Sequence, residues 1–497
     1  MNILDQYRMF LQRMGLIGTS NFLITITPII LLPILTQHLS IQEYGVWIQF
    51  QITITLIPSI AILGLPYTMV RFMAASKSRE EIQESFYSIL FTVIITGLIA
   101  ALILFFLAKP ISNAIFNGNI AVGIILPLTA LMTALMLVFF DFFRAFNQMT
   151  KYAILTTLQA YMIVIFATLF VLGGFGIIGA VTGILVTQTL ISVIMFIFIL
   201  RQIGFKIPKF KNLREYLTFG LPTIPSNASF WALDASDRYI IGLFIGISAV
   251  SYYSAGYTIS SLMALLISPL YTVLLPILSQ YYAERKIRAT RFLLNYSIKL
   301  YLVIAIPVAI ILSILAKPIL YILSTPTLAN QGYVITPILA IGGIFFGLYC
   351  IVTQVLVMER KTKITGNIWI IATVLNIVMD ITFGYYFGII GIAITTLIIY
   401  IFAFLITSYY SFKFIRCNFY FGFLAKVLAS GLVMSIILLI INPFGGINIL
   451  LTIAFAFSVY FFILWLLKGI RTSEIKFFLD VIKEIIINTY KSIRGLG

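Results

Sequence analysis

The chain has 497 residues, 61% of them hydrophobic and 9% charged, with a mean hydropathy of +1.11 and a formal net charge of +17. Soluble domains carry about 25% charged residues, so a large soluble enzyme is excluded for want of polar surface. The apolar residues fall in blocks of roughly 20, the length a helix needs to cross a bilayer, and the expected fold class is an all-α polytopic membrane protein.

In chain order, residues 1–15 read as an amphipathic cytoplasmic segment. Ile3, Leu4, Tyr7, Phe10, Leu11 and Met14 repeat at helical spacing with Arg8 and Arg13 elsewhere, the pattern of a helix lying in the headgroup plane. The apolar run that follows is too long for a signal-peptide core and reads as the first span. Spans are expected near 16–37, 46–70, 85–107, 120–143, 152–173, 177–200 and 216–246. They continue near 250–279, 292–315, 333–356, 364–386, 389–412, 424–442 and 449–467, about 14 transmembrane helices in all. Pro28, Pro33, Pro58, Pro66, Pro222, Pro225, Pro269 and Pro276 fall within them, and such prolines survive in a bilayer where neighbours or a wet cavity satisfy the freed backbone groups. Residues 468–497 form a basic tail whose Ile475, Phe478, Leu479 and Ile482 make a second amphipathic stripe.

Of the 32 basic residues, 28 lie in the N-terminus, the even-numbered loops or the tail, two (Lys109 and Lys317) in odd-numbered loops, and two (Arg238 and Lys299) within spans. The positive-inside rule therefore places both termini in the cytoplasm. The positive charge reports topology and attraction to anionic lipid and gives no argument for nucleic acid. Cys350 and Cys417 cannot build a disulfide framework, and His38 has no second ligand with which to hold a metal. A GxxxxGK[ST] phosphate loop and a GxSxG nucleophile elbow are both absent from the sequence, which excludes a self-contained ATP pump and a serine hydrolase.

The chain also repeats itself. Leu107-Ala108-Lys109-Pro110-Ile111 recurs as Leu315-Ala316-Lys317-Pro318-Ile319 at an offset of 208, and Ser40 and Tyr44 match Ser248 and Tyr252 at the same offset. Phe175-Gly176-Ile177-Ile178-Gly179 recurs as Phe387-Gly388-Ile389-Ile390-Gly391 at 212, as does Thr150-Lys151 in Thr362-Lys363. Two parallel six-helix lobes follow, at 16–212 and 213–412, with two further helices in 413–467 outside the repeat. Parallel repeats about an axis along the membrane normal are a transporter arrangement.

That plan resembles the polysaccharide-transporter flippases (O-antigen and oligosaccharide-lipid flippases) of the multidrug/oligosaccharidyl-lipid/polysaccharide exporter superfamily. The resemblance is carried by Leu35 to Gly45 (LTQHLSIQEYG), by Asp237-Arg238-Tyr239-Ile240-Ile241-Gly242 in span 7 and by Phe387-Gly388-Ile389-Ile390-Gly391. It implies a polytopic plasma-membrane flippase that moves a polyprenyl-phosphate or -diphosphate-linked oligosaccharide outward by alternating access. Membrane lipids and other polysaccharide-assembly membrane proteins would be its partners, with H+ or Na+ coupling and no bound cofactor. A cation-coupled multidrug exporter of the same superfamily is the alternative. A polysaccharide polymerase or ligase is a third reading, opposed by the longest internal gap between spans of about 17 residues.

Charges inside spans are costly and mark function by default. Asp234, Asp237 and Arg238 lie near the middle of span 7. Residues i and i+4 share a helix face, so Asp234 and Arg238 are expected to pair, whereas the neighbours Asp237 and Arg238 are not, and Asp237 is left for another partner. The cluster is either a lock within the lobe or a cavity site in which Arg238 attracts phosphate and an acid takes a coupling cation. Asp380, one turn after Asn376 in span 11, is a proton-carrier candidate or a hydrogen-bonding partner for a neighbouring helix. Lys299 in span 9 either snorkels to the interface or takes part in gating, and Asp141 and Arg144 read as a boundary ion pair. Thr19, Ser20 and Asn21 in span 1, and Thr223, Ser226, Asn227 and Ser229 in span 7, either line a hydrated groove for sugar hydroxyls or serve helix packing. Arg13, Arg71 and Arg238 are the bases expected to meet a phosphate.

Overall fold

A computed structural model describes residues 3–73, 78–416, 421–443 and 445–469. Side chains are described from Gly18 onward, except at 226, 227, 230, 234, 268–273, 275–277 and 283. The stripe at 475–482 and the Arg13 side chain lie outside the described residues.

The first repeat runs α1 (Ile3–His38), α2 (Ile41–Ala61), α3 (Leu65–Phe72), α4 (Arg79–Phe106), α5 (Ala108–Ile115), α6 (Ile120–Ala145), α7 (Met149–Phe170) and α8 (Gly176–Ile203). It is followed by α9 (Leu213–Gly220), α10 (Ile224–Ile240), α11 (Ile247–Ser260), α12 (Ala264–Ala283), α13 (Ile287–Ile314) and α14 (Ala316–Leu323). Then come α15 (Pro326–Gly332), α16 (Thr336–Met358), α17 (Thr362–Ser411), α18 (Phe421–Ile441) and α19 (Gly446–Leu466). Among the described residues there is no strand, and the all-α polytopic class holds.

Eleven described segments are long and apolar enough to cross a bilayer, against about fourteen expected. Two of them, Met149–Ile203 and Thr362–Ser411, run for 55 and 50 residues, about twice what one crossing takes. Each turns at a glycine. Gly176 has φ 54°, ψ −141°, and Gly388 has φ 60°, ψ −144°, a region open to glycine alone. The halves of α17 lie side by side, because Phe346 touches both Trp369 and Tyr400. The stretch 216–246, expected as one span, instead takes in most of α9, a 3-10 turn at Leu221–Thr223, α10 and a π turn at Ile241–Ile245. Pro222 and Pro225 break its start, and its charges lower its hydropathy.

The repeat read from sequence has a common backbone. The two FGIIG glycines, Gly176 and Gly388, share their rare dihedrals, and Leu107 and Leu315, which open the short α5 and α14, both have φ −89°, ψ 4°. Prolines are compensated as a bilayer demands. Pro28 cannot bond the Ile24 carbonyl, and the Thr27 hydroxyl donates to it at 2.7 Å. Pro307 frees the Val303 carbonyl, which accepts from the Tyr460 hydroxyl of α19 at 3.0 Å, tying the appended pair to α13.

Sequence placed α9 at the head of the second lobe, but its Tyr216 and Leu217 pack into the first lobe's core with Leu65, Met69 and Phe86. Its Tyr216 hydroxyl lies 2.7 Å from the Ser85 hydroxyl. The linker before it is pinned as well, since the Lys209 backbone N–H donates to both Glu84 carboxylate oxygens at 2.8 and 3.0 Å.

Candidate functional site

The second helices of the two repeats, α2 and α11, meet along a seam between the lobes, which α10 continues further along α2. The Leu35–Gly45 motif builds the entry to α2. Ser40 Oγ accepts the Glu43 N–H at 3.2 Å, and Glu43 Oε2 accepts the Ser40 N–H at 2.8 Å, a capping box. Gly45 has to be glycine here. A Cβ would collide with the Ile247 carbonyl oxygen and come within 2.9 Å of both Ile247 Cγ1 and Ser251 Oγ. Ser251 Oγ donates to the Ile41 carbonyl at 2.5 Å.

Further along, Gln49 Nε2 donates to the Arg238 carbonyl at 2.7 Å, occupying the space that a Cβ on Gly242 would need. The Thr53 and Tyr239 hydroxyls are 2.5 Å apart, and Trp231 Nε1 donates to the Thr55 hydroxyl at 3.0 Å. From Ile41 to Thr55 the seam follows about 21 Å of helix rise, more than half of the ~30 Å hydrocarbon core.

Beside the seam lies a cavity of about 520 Å³ between α1, α2, α7, α10 and α11, within the ~300–1,000 Å³ common for ligand pockets. Thr27, Gln51, Gln159, Ser254 and Thr258 supply hydroxyls and amides, Tyr44, Trp47 and Tyr257 supply rings, and Arg238 is the basic residue among its lining. The Arg238 guanidinium sits 4.0 Å from the centre of the Tyr257 ring.

Arg238 Nη1 is 3.1 Å from Asp237 Oδ1, with both side chains more than nine-tenths buried. The expectation that these neighbours cannot pair is therefore corrected. Asp237 Oδ1 folds back to accept the Arg238 backbone N–H at 2.7 Å, and the long arginine side chain reaches it there although the two Cβ atoms diverge. Asp237 is thus engaged rather than left over. The expected partner Asp234 has its side chain outside the described residues.

Asp380 is fully buried within α17, with Asp237 and Thr395 as its polar neighbours. The Thr395 hydroxyl donates to the Gly391 carbonyl at 3.2 Å, and neither Asp380 oxygen has a hydrogen-bond partner among the described residues. Asn376 points the same way as expected, accepting from the Ser236 hydroxyl at 3.3 Å. Carboxyl, amide and hydroxyl oxygens from α10 and α17 therefore converge in one buried place. Such a set can hold a proton or a hard cation.

The other sequence candidates separate. Arg71 lies in its own pocket with Lys211 and Arg214, apart from the central cavity. Asn21 is exposed and outside the cavity lining, while its neighbour Ser20 donates to the Ala153 carbonyl at 2.9 Å, a packing role. Lys299 is half-buried, its ammonium 5.2 Å from the Phe423 ring and away from the cavity. The side chains of Arg13 and Asn227 lie outside the described residues. Asp141 and Arg144 form the expected i,i+3 pair at 2.7 Å. Sequence reasoning passed over Gln49 and Thr53, whose i,i+4 spacing on an apolar span was the available signal, and Tyr253 and Tyr257, which had none.

The chain matches the family described as polysaccharide biosynthesis protein over residues 10–282, more than half its length, and the family described as MatE over 222–382. It is 22% identical over 275 residues to the probable low-salt glycan biosynthesis flippase Agl15 of Haloferax volcanii, a match covering 54% of this chain and 58% of that relative. The chain therefore spans less than two thirds of the length of the curated relative it matches. Its fold is similar to that of the lipid II flippase MurJ in its inward closed conformation, with a TM-score of 0.76 at 19% identity over 90% of this chain and 97% of the other. An inward-facing multidrug resistance MATE family transporter of the MOP superfamily aligns with a TM-score of 0.65 at 15% identity, covering 79% and 94%.

Proposed function

The chain belongs to the polysaccharide biosynthesis family within the multidrug/oligosaccharidyl-lipid/polysaccharide superfamily, and from that premise we propose that it flips a polyprenyl-phosphate- or polyprenyl-diphosphate-linked oligosaccharide from the inner to the outer leaflet. The observation that carries this reading is the cavity between the lobes, beside the seam and lined by amides and hydroxyls at Gln51, Gln159, Ser254 and Thr258. A glycan leaving water must exchange its hydration for such groups, while the lipid tail stays in the bilayer. Alternating access then consists of parting the seam and closing the opposite side. The buried Asp237 and Asp380 are our candidates for cation or proton coupling. A plasma-membrane location is what the family implies, and the charge distribution is the support for both termini being cytoplasmic. Further polysaccharide-assembly membrane proteins would supply and consume the glycan. The relatives are named as flippases and transporters, so a polymerase or ligase finds no support among them.

The second reading, a cation-coupled multidrug exporter, is favoured by the MatE match over 222–382 and by the rings of Tyr44, Trp47 and Tyr257 around the cavity, which suit cationic drugs. The test is the purified protein in liposomes holding a fluorescent short-chain polyprenyl-diphosphate glycan, with an impermeant quencher added to read its leaflet. Faster exchange than in protein-free vesicles supports the flippase. Exchange at the protein-free rate, together with gradient-driven uptake of a cationic dye, transfers the assignment to the drug exporter.

A further inference from the structure

A second pocket, sharing no residue with the central cavity, opens where α3 meets α9. Its volume is about 600 Å³ and its lining includes Arg71, Phe72, Lys211, Arg214, Glu215 and Phe219. Three bases thus face one acid. None of the three bases has an ion-pair partner among the described residues, in contrast to Arg238 in the cavity, which Asp237 neutralises.

The pocket is held in shape from behind. Arg71 Cζ lies 4.4 Å from the centre of the Phe219 ring and 5.6 Å from that of Phe72. Those rings meet edge-on at 5.8 Å, and Phe72 also leans on Tyr216 at 5.5 Å. Thr68 Oγ1 donates to the Tyr216 carbonyl at 3.2 Å, fixing α3 against α9. The loop carrying Lys211 is fixed through the Lys209 N–H bonds to Glu84. The guanidinium therefore rests on a built aromatic wall, and its N–H groups face solvent alongside the side chains of Lys211 and Arg214, all three exposed.

Depth argues for the kind of ligand. The 21 residues of α2 rise about 31 Å, the full hydrocarbon thickness. The following α3 carries Arg71 beyond it, into the headgroup layer on the side assigned to the cytoplasm. Phosphate is the anion concentrated at that level, and arginine is suited to bind it through paired N–H donors.

We propose that this pocket binds the phosphate of an inner-leaflet lipid, with Arg71 braced on Phe219 as the central donor and Lys211 and Arg214 completing the cradle. Two sources share that chemistry, a bulk anionic phospholipid and the phosphorylated polyprenyl carrier. The site is independent of the cavity reading, because bulk lipid would occupy it whatever the cavity carries.

The experiment titrates the full chain in neutral detergent with short-chain phosphatidylglycerol, matched phosphatidylcholine, a short polyprenyl phosphate and its free alcohol, with bound ligand read by native mass spectrometry. Lys211→Gln and Arg214→Gln should each weaken binding of the anionic ligand about fivefold, the ~1 kcal/mol of one basic side chain at an anionic surface, and together roughly 25-fold. Lys109→Gln, on the opposite side of the membrane, should leave it unchanged. Stronger binding of phosphatidylglycerol than of polyprenyl phosphate assigns the site to bulk lipid, and the reverse order makes it a docking point for the carrier. Equal binding of anionic and neutral ligands overturns the proposal. So does equal affinity of the wild type and the double variant, or an equal loss in Lys109→Gln.

Discussion

Gly45→Ala is the smallest change that tests whether the α2–α11 seam is a gate. The added methyl would run into the Ile247 carbonyl, which is backbone and cannot swing aside, and would lie 2.9 Å from Ile247 Cγ1 and Ser251 Oγ, where ordinary contact begins near 3.4 Å. The helices must part by at least about half an ångström. Overpacking of this kind costs about 1–3 kcal/mol, and only the closed seam bears it. At ~1.4 kcal/mol per tenfold, the balance shifts roughly 5- to 150-fold toward the parted state. Spin labels at Ala114→Cys in α5 and Gln331→Cys in α15, both exposed and one on each lobe, would read the shift as a longer distance distribution once the native cysteines are replaced. Transport should fall if the seam has to close in every cycle. A distance distribution and transport rate both equal to wild type would refute the gate.

Four further outcomes are expected. Asp380→Asn keeps the side-chain volume and removes the charge, so transport driven by an imposed pH or Na+ gradient should lose that dependence while slow equilibration continues; an unaltered dependence sinks the coupling assignment. Asp237→Asn should instead lower the yield of folded protein, because breaking a buried pair costs about 3–5 kcal/mol, and normal yield with normal thermal stability would count against the pair. Gly388→Ala and Gly176→Ala should each destabilise by about 1–3 kcal/mol, seen as lowered thermal midpoints, and wild-type midpoints in both would contradict the shared kink. For topology, cysteines at Asn119 and Asn330 should react with an impermeant thiol reagent from outside and those at Lys211 and Arg360 should not; the opposite pattern inverts the chain.

The periodic features of the sequence translated most directly into structure. Runs of about 20 apolar residues became helices, and the repeated FGIIG and LAKPI segments became matching kinks and short helices, because those signals are local. The capping box at Ser40 and Glu43 is equally local but was passed over in the sequence. Span 7 was misread where local rules compete with side-chain length. Helical spacing ruled out a pair between the neighbours Asp237 and Arg238, yet a carboxylate that curls onto its own helix brings the two together. The seam itself was hidden, since nothing in the neighbourhood of Gln49 or Gly242 reveals that the two residues meet across lobes. Arg71 carried the right chemistry, but its place in a separate pocket depends on α9 crossing to the first lobe's core.

In the proposed alternating-access cycle, the seam's chemistry would keep two arrangements within reach of each other. Gln49, Thr53 and Ser251 each bond across the lobes, and each such bond contributes only about 0.5–1.5 kcal/mol net. Opposing them, Gln49 Oε1, Ser254 Oγ and both Asp380 oxygens find no hydrogen-bond partner among the described residues, and a buried polar group without one costs about 1–3 kcal/mol. Opening the seam to water breaks the first set and relieves the Gln49 and Ser254 members of the second. An apolar seam would bring no such relief and would stay shut in a medium without water. The polar residues on α2 therefore act on both sides of the balance, and replacing Gln49 with leucine would be expected to favour the closed arrangement at the expense of turnover.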